Sequence, residues 1–177
     1  MSGKTTLAQI LAHQYRQSGI STIVLDPMKD PKWGNACEPT PEHAGHHITS
    51  DSAQFLATIK DPETTSCALF MDESGESVGH YAGAMRWPAT MGRHWGHKSH
   101  FITQAPQQLD PVIRGQCSQC FIFRINNSAM KILSDEYCQP EIMKAGELAK
   151  GEFLYIARFG APRRGRVDFA SRSIRFD

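Results

Sequence analysis

The sequence predicts an α/β domain in which a mostly parallel sheet is flanked by helices. Three observations favour this fold class. Short runs of apolar and β-branched residues alternate along the chain with segments of helical periodicity. These runs have the length of buried strands, and polar or proline residues close them. Such alternation is typical of parallel sheets that are covered by helices on both faces.

The first predicted element is a helix over 7–16, where apolar residues recur at helical spacing. A β-branched run over 21–25 predicts a buried strand, and the segment 28–49, rich in proline, glycine and histidine, predicts a loop. The arginine-rich C-terminal tail offers a sixth strand. The remaining predicted elements are strands over 66–71, 100–103, 120–125 and 152–156, and helical segments over 53–59, 77–95 (interrupted near Pro88), 112–117 and 129–137.

Length and composition indicate one globular domain, 1–177. Hydrophobic residues make up 40% of the chain and charged residues 21%, which is ordinary for a protein with a packed core. The longest apolar runs are too short to span a bilayer, and residues 2–6 are polar where a secretory signal would become apolar. Five scattered cysteines, an odd number, argue for a reducing compartment. We therefore expect a cytoplasmic protein without a membrane segment.

Positive charge is concentrated at the end of the chain. Residues 156–177 hold six arginines against two aspartates, a net charge of +4 in a chain whose total is +1. The basic segment 157–177 could contact DNA phosphates without sequence specificity. A solvated basic end or a charge-protected edge strand explains it nearly as well.

The first functional motif is Ser2-Gly3-Lys4-Thr5-Thr6, which leads directly into the first predicted helix. It matches the second half of the phosphate-binding pattern G-x-x-x-x-G-K-[ST], known as Walker A. In that pattern backbone N–H groups wrap the phosphates, the lysine reaches the β- and γ-phosphate oxygens, and the next hydroxyl binds Mg²⁺. The motif therefore predicts nucleotide binding, with Lys4 on the phosphates and Thr5 on the metal. A polar helix cap is the alternative.

A second motif closes the predicted strand over 66–71 with two acidic residues, Asp72 and Glu73. An apolar strand that ends in two carboxylates is the Walker B pattern. One carboxylate supports Mg²⁺ and the other orients or deprotonates the attacking water. A buried strand followed by an acidic turn is the alternative. Together the two motifs predict an ATPase that uses ATP and Mg²⁺, with Asp72 as a metal ligand and Glu73 as a catalytic residue.

The third motif is R-x-x-G at 93–96, followed by a strand that ends in Thr103-Gln104. This order resembles the FtsK/HerA superfamily of P-loop ATPases. The resemblance implies that Arg93 is a finger reaching a neighbouring subunit's ATP and that Gln104 senses the γ-phosphate. A surface arginine and a loop cap are the alternatives for these two residues. Three other arginines are rival fingers: Arg86, Arg114 and Arg124.

The resemblance covers most of the chain. Within the superfamily, the sequence most resembles the genome-packaging ATPases of viruses and phages. This resemblance implies a homo-oligomeric, ring-forming motor that translocates double-stranded DNA in a bacterial or virus-infected host cell. One alternative is a filamentous-phage assembly ATPase similar to zonula-occludens-toxin proteins, which usually carry a membrane span. Another is a non-catalytic DNA-binding or oligomerisation module derived from such a motor.

The implied fold is a RecA/ASCE-like P-loop NTPase whose first central strand is absent from the chain. In that fold a central strand and the first glycine of the loop precede residue 2. One expectation is that Met1 is an internal methionine of a longer protein. The other is that the short form binds nucleotide poorly or has a rearranged sheet.

Zinc binding is not predicted, although histidines and cysteines cluster twice. Neither cluster shows the paired-ligand spacing of a zinc site, and Cys117-x-x-Cys120 is a lone pair that runs into an apolar strand. Polar loops and buried thiols are the preferred interpretation. The clusters comprise Cys37, His43, His46 and His47, and then His94, His97 and His100.

Overall fold

The computed structural model describes residues 2–40, 43–77 and 83–177. In these ranges eight strands form two four-stranded sheets. The strands of the first sheet are Thr22–Leu25 (β1), His46–Thr49 (β2), Ala68–Met71 (β3) and Lys98–Phe101 (β4). The strands of the second sheet are Gln119–Ile122 (β5), Glu152–Ala157 (β6), Arg163–Asp168 (β7) and Ser173–Phe176 (β8). The first sheet is wholly parallel in the order β2-β1-β3-β4, and the second is antiparallel in the order β5-β6-β7-β8.

Helices and short turns connect these strands. The helices are Lys4–Gln17 (α1), Ser52–Ile59 (α2), Ser74–Ser77 (α3), Trp87–Thr90 (α4), Pro111–Gln116 (α5) and Asn127–Tyr137 (α6). Turns of 3₁₀ helix span Pro31–Trp33, Gly83–Arg86, Gly92–Trp95, Pro106–Gln108 and Pro140–Glu147. None of the described helices is long and apolar enough to cross a bilayer.

The parallel sheet is the buried centre of the first half of the chain. Every residue of β1 and β3 is buried. Because side chains alternate along a strand, Phe70 packs with Ala8 and Ala12 of α1 on one face. Leu69 and its neighbours pack against α2 and α5 on the other face. The predicted α/β fold, with a parallel sheet covered on both faces, is therefore confirmed.

Helix α1 also covers the second sheet. Leu7 and Ile10, on a different side of the helix from Ala8 and Ala12, pack against Phe153. The opposite face of that sheet is covered by α6 and the turn Pro140–Glu147. One helix therefore joins the two sheets, and the same helix begins at the predicted phosphate-binding motif.

A cleft separates the two sheets. Strand β4 pairs with β3 and strand β5 pairs with β6, and no described strand lies between β4 and β5. Both strands line a cavity of about 630 Å³, with apolar side chains such as Phe101 and Phe121 and with Lys4 also in its lining. Among the described strands, the edge of the parallel sheet thus faces the edge of the antiparallel sheet across this cleft.

Three predicted elements differ from the structure. The predicted loop over 28–49 is wrong in part, because it contains β2, a strand without a local apolar pattern that is stabilised by pairing with β1. The basic tail holds two strands rather than one, and the sheet they form with β5 and β6 is antiparallel. The predicted helical segment 77–95 is a series of short turns in the described part, and residues 78–82 of it lie outside the described ranges.

Candidate nucleotide-binding site

The start of α1 has the backbone geometry that a phosphate-binding loop needs. Gly3 has a φ of 114°, and a Cβ there would lie 2.9 Å from the Phe123 ring, so only glycine fits without strain. No side chain caps this helix end. The N-terminus of a 14-residue helix therefore presents backbone N–H groups and the positive end of its dipole. The carbonyl of Ser2 accepts the N–H of Gly151 at 3.2 Å, which anchors this end to the second sheet.

Lys4 is the first residue of α1 and is half-buried. Partial burial lowers the pKa of its ammonium group, and the nearby carboxylates of Glu73 and Asp72 oppose that shift. Lys4 of the first motif therefore interacts electrostatically with Asp72 and Glu73 of the second motif, although nearly 70 positions separate them in the sequence. A lysine beside two acids is the arrangement expected of joined Walker A and Walker B motifs.

Asp72 directly follows β3 and is buried, with 4% of its surface exposed. Its Oδ1 accepts the backbone N–H of Glu73 at 2.9 Å, and its Oδ2 accepts the indole N–H of Trp33 at 2.8 Å. Burial raises the pKa of the carboxyl group, and these two donors oppose the shift by stabilising the charged form.

Glu73 and Gln104 meet at the carboxyl ends of neighbouring parallel strands. The Nε2 of Gln104 donates to Oε2 of Glu73 at 3.2 Å. The backbone of Ser74 donates to the carbonyl of Ile102 at 2.7 Å, which holds the two segments together. This edge is where open α/β sheets bind ligands. The structure thus brings Lys4, Asp72, Glu73 and Gln104 to one place.

The hydroxyl-bearing residues Thr5 and Thr6 lie half-buried in the first turn of α1. A threonine hydroxyl and the Asp72 carboxylate are hard oxygen donors, which Mg²⁺ prefers. Mg²⁺ at nucleotide sites is commonly held by one or two protein oxygens together with phosphate oxygens and water. The residues present therefore fit the metal, and its binding by Thr5 and Asp72 stays a prediction.

Arg93 lies apart from the cluster formed by Lys4, Asp72, Glu73 and Gln104 of the same chain. It lies on the turn Gly92–Trp95, which enters β4, whereas Gln104 follows the same strand at its other end. Arg93 is exposed and lines the cleft between the sheets. A role at its own chain's phosphates is not supported by this placement. Its role as a finger for a neighbouring subunit stays a prediction.

Two of the three rival arginines have structural partners. Arg86 forms an ion pair with Asp110 at 2.8 Å. Arg114 forms an ion pair with Glu136 at 2.9 Å and also donates to the carbonyls of Pro106 and Leu109, which fixes the loop after β4. Arg124 is exposed just after β5 and lines the cleft together with Lys4.

Solved structures of a viral genome packaging NTPase are similar to the chain over almost its whole length. The NTPase B204 from Sulfolobus turreted icosahedral virus 2, in complex with ATP-gammaS, matches with a TM-score of 0.71 at 17% identity, covering 99% of this chain and 90% of that one. Its complex with AMPPCP matches with a TM-score of 0.68, also at 17% identity, covering 99% and 91%. B204 from Sulfolobus turreted icosahedral virus, described as a DNA-packaging ATPase, matches with a TM-score of 0.67 at 18% identity, covering 99% and 91%. The chain has the P-loop NTPase fold of these structures.

Other comparisons add little to this result. The N-terminal domain of zonular occludens toxin from Neisseria meningitidis matches with a TM-score of only 0.48 at 15% identity, covering 72% of this chain and 73% of that one. A likeness that weak does not favour the assembly-ATPase alternative. No protein-family model and no curated protein sequence matches the chain.

Within this P-loop NTPase fold, the sequence motifs did not identify Trp33 as a neighbour of the candidate site. It lies in a segment rich in proline and glycine, and no local pattern connects it to the Walker B acids. Trp33 is 39 positions from Asp72 in the sequence, and contacts with residues of the parallel sheet bring the two side chains together. A lone tryptophan in a predicted loop gave no signal that could have found it.

Two of the clustered histidines form hydrogen bonds inside the fold. His46 is bonded to Thr22 and to the carbonyl of Trp33, and the Nδ1 of His97 accepts the backbone N–H of Cys67. Across the described ranges, no group of three or more histidine, cysteine, aspartate or glutamate side chains could hold a metal ion.

The arginines of the basic segment have partners within the segment itself and in other parts of the domain. Glu152 accepts Arg164 and Arg166 at 2.7 Å each, and Arg172 donates to Gln9 of α1 at 3.1 Å. Arg175 pairs with Asp168, Arg163 stacks on Phe176, and Arg158 binds carbonyls of α5 and α6. The positive charge therefore also stabilises the second sheet, and DNA contact by this segment stays a prediction.

Proposed function

We propose that the chain is an ATP-hydrolysing subunit of a genome-packaging motor that translocates double-stranded DNA. The convergence of Lys4, Asp72, Glu73 and Gln104 at one edge of the parallel sheet carries this proposal. Three separate sequence motifs supply these residues. The similar fold of B204, a packaging NTPase whose structures hold ATP-gammaS and AMPPCP, supports the same function.

In this proposal the start of α1 and Lys4 bind the phosphates of ATP. The backbone N–H groups after Gly3 donate hydrogen bonds to the phosphate, and the Lys4 ammonium contacts the β- and γ-phosphate oxygens. Thr5 and Asp72 hold Mg²⁺, which neutralises charge on the phosphate oxygens when bound. Burial of Asp72 strengthens its attraction for a cation.

Glu73 then acts on the attacking water. Its carboxylate lies at the end of β3, next to the predicted metal ligand, and orients the water or takes its proton. Gln104 holds this carboxylate at 3.2 Å in the described state. A γ-phosphate near the amide of Gln104 would compete for that donor, so nucleotide state and the position of Glu73 are coupled.

Subunit association completes the site. Because Arg93 lies on the turn before β4, at the end of that strand opposite Gln104, we assign it to the phosphates of a neighbouring subunit rather than to those of its own chain. A guanidinium supplied by a neighbour stabilises charge on the transferring phosphoryl group. A ring of subunits provides such an interface at every site.

Calorimetry of Mg²⁺-ATP binding tests the function most directly. We expect ATP affinity in the micromolar range. Lys4→Ala should weaken this affinity by about 100-fold or more, because the lysine contacts the charged phosphate oxygens. Lys144→Ala is the matched control, because this exposed lysine lies on the turn Pro140–Glu147. Addition of double-stranded DNA should increase the rate of ATP hydrolysis.

Two results would contradict the proposal. If Lys4→Ala leaves ATP binding unchanged, the phosphates do not bind at this edge of the sheet. DNA binding that depends on salt but not on ATP, without any hydrolysis, would instead support the non-catalytic DNA-binding module.

A further inference from the structure

Trp33 contacts the proposed metal ligand although it belongs to none of the sequence motifs. Its indole Nε1–H donates to Oδ2 of Asp72 at 2.8 Å. The other carboxylate oxygen, Oδ1, accepts the backbone N–H of Glu73 at 2.9 Å. Because the two donors bind different oxygens, they fix both the position and the rotation of the Asp72 carboxylate.

The side chain of Trp33 is itself held firmly. Only 5% of its surface is exposed, and its ring packs against Phe70 of β3 with centroids 5.7 Å apart. Its carbonyl accepts Nε2–H of His46 at 3.1 Å, since a carbonyl can only accept. The Nδ1 of this neutral histidine accepts the hydroxyl of Thr22 at 2.6 Å. Residues of β1, β2 and β3 therefore fix Trp33.

The turn that carries Trp33 is built from the end of β1. Asp26 directly follows this strand, is 2% exposed, and accepts the backbone N–H groups of Met28 (3.0 Å) and Asp30. Asp30 in turn caps the 3₁₀ turn by accepting the N–H of Lys32 at 3.0 Å. A hydrogen-bonded segment, rather than an unconstrained loop, therefore places the indole next to Asp72.

We propose that Trp33 is a positioning residue for Asp72 as a Mg²⁺ ligand, an inference that rests on the proposed function. An indole N–H is a neutral donor, so it orients the carboxylate and leaves its negative charge for the cation. An ammonium or guanidinium donor would compensate that charge. Hydrogen-bond partners of metal ligands typically contribute 10- to 100-fold in metal affinity or activity.

Titration of Mg²⁺ at fixed ATP concentration measures this contribution. In Trp33→Phe, which keeps an aromatic ring and removes the N–H donor, the half-saturating Mg²⁺ concentration for ATP binding should rise by roughly 10- to 100-fold. Trp95→Phe is the matched control, because Trp95 is 42% exposed and lies at the opposite end of the parallel sheet. That variant should keep the half-saturating concentration of the unsubstituted chain.

An NMR measurement tests the hydrogen bond without any nucleotide. The chain has three tryptophans, so Trp87→Phe with Trp95→Phe leaves Trp33 as the single indole. Asp72→Ala in this background should shift the indole ¹H–¹⁵N resonance and speed its exchange with solvent. Asp61→Ala, a change at an exposed loop residue, should do neither.

The outcomes separate this inference from the proposed function. If the unsubstituted chain binds Mg²⁺-ATP and Trp33→Phe shows the same Mg²⁺ dependence, the inference is overturned and the function stands. If the unsubstituted chain binds no Mg²⁺-ATP, both are overturned. An indole resonance that Asp72→Ala leaves unchanged overturns the inference by itself.

Discussion

Glu73 adopts a left-handed backbone conformation, with a φ of 44°, immediately after the buried strand β3. A non-glycine residue in this region costs of order 1–3 kcal/mol, and such residues concentrate at functional sites. The conformation accompanies a side chain placed beside Asp72 and within hydrogen-bonding distance of Gln104. At the scale of single residues, geometry and motif therefore favour the same carboxylate as the catalytic one.

The substitution Glu73→Gln should lower the rate of ATP hydrolysis by about 100-fold or more and leave ATP affinity nearly unchanged. An amide cannot accept the proton of the attacking water, whereas the phosphate-binding residues are intact. Steady-state kinetics combined with calorimetry separates the two effects. Glu63→Gln, at an exposed glutamate before β3, should change neither, and normal turnover in Glu73→Gln would remove Glu73 from the catalytic role.

Among the elements, the strand pair β6–β7 depends on a cluster of charges. Glu152 accepts the N–H of Ala149 and the guanidinium groups of Arg164 and Arg166. These donors lower its pKa to about 2. A carboxyl group whose pKa is lower in the folded state stabilises the fold above its unfolded pKa, and this contribution is lost as pH falls toward the folded value.

Glu152→Gln should therefore lower the melting temperature at pH 7, by roughly 2–4 °C for a partly exposed charge cluster in a chain of this size. The difference from the unsubstituted chain should shrink between about pH 5 and pH 2, where the glutamate becomes protonated. Thermal melts at several pH values measure this. Glu141→Gln, in the turn Pro140–Glu147, serves as the control, and a pH-independent difference would show that charge is not the cause.

At the scale of the whole molecule, α1 connects the nucleotide site to both sheets. Its first turn carries Lys4, while Ala8 and Ala12 pack on the parallel sheet and Leu7 and Ile10 pack on the antiparallel sheet. Arg93 lies at the far end of β4 from this turn. The chain therefore carries its candidate site after the carboxyl end of β4 and its predicted finger before the amino end of that strand.

Mixing two inactive variants tests a finger that acts between subunits. Arg93→Ala and Glu73→Gln should each hydrolyse ATP slowly, and their mixture should recover part of the activity. Some interfaces would then pair an intact Glu73 with an intact Arg93. The activity of mixtures over a range of ratios gives the measurement.

The doubly substituted chain, Arg93→Ala with Glu73→Gln, is the control for this mixture. Added to Arg93→Ala, it supplies no intact finger and should restore nothing. Full activity of Arg93→Ala by itself would contradict the finger, and Arg124→Ala would then be the next variant, because Arg124 lines the cleft with Lys4.

The sequence by itself determined the class of fold, and it singled out the four residues that the structure brings together. Strands β1 and β3 are contiguous apolar runs, and α1 has helical periodicity, so local pattern was sufficient to predict them. Parallel strands place their carboxyl ends at one edge of a sheet. Glu73, which closes the second motif, and Gln104, which follows β4, lie together at such an edge in the structure.

Only the tertiary structure decided the remaining strand pairings and side-chain contacts. These contacts join residues that are distant in the sequence, and no local pattern predicts them. Strand β2 forms through pairing with β1, and the antiparallel order of the second sheet follows from pairing among β5 to β8. Trp33 reaches Asp72 across 39 positions, and Arg172 reaches Gln9 across 163. Side-chain pairing at such separations depends on how the sheets pack, which no short stretch of sequence encodes.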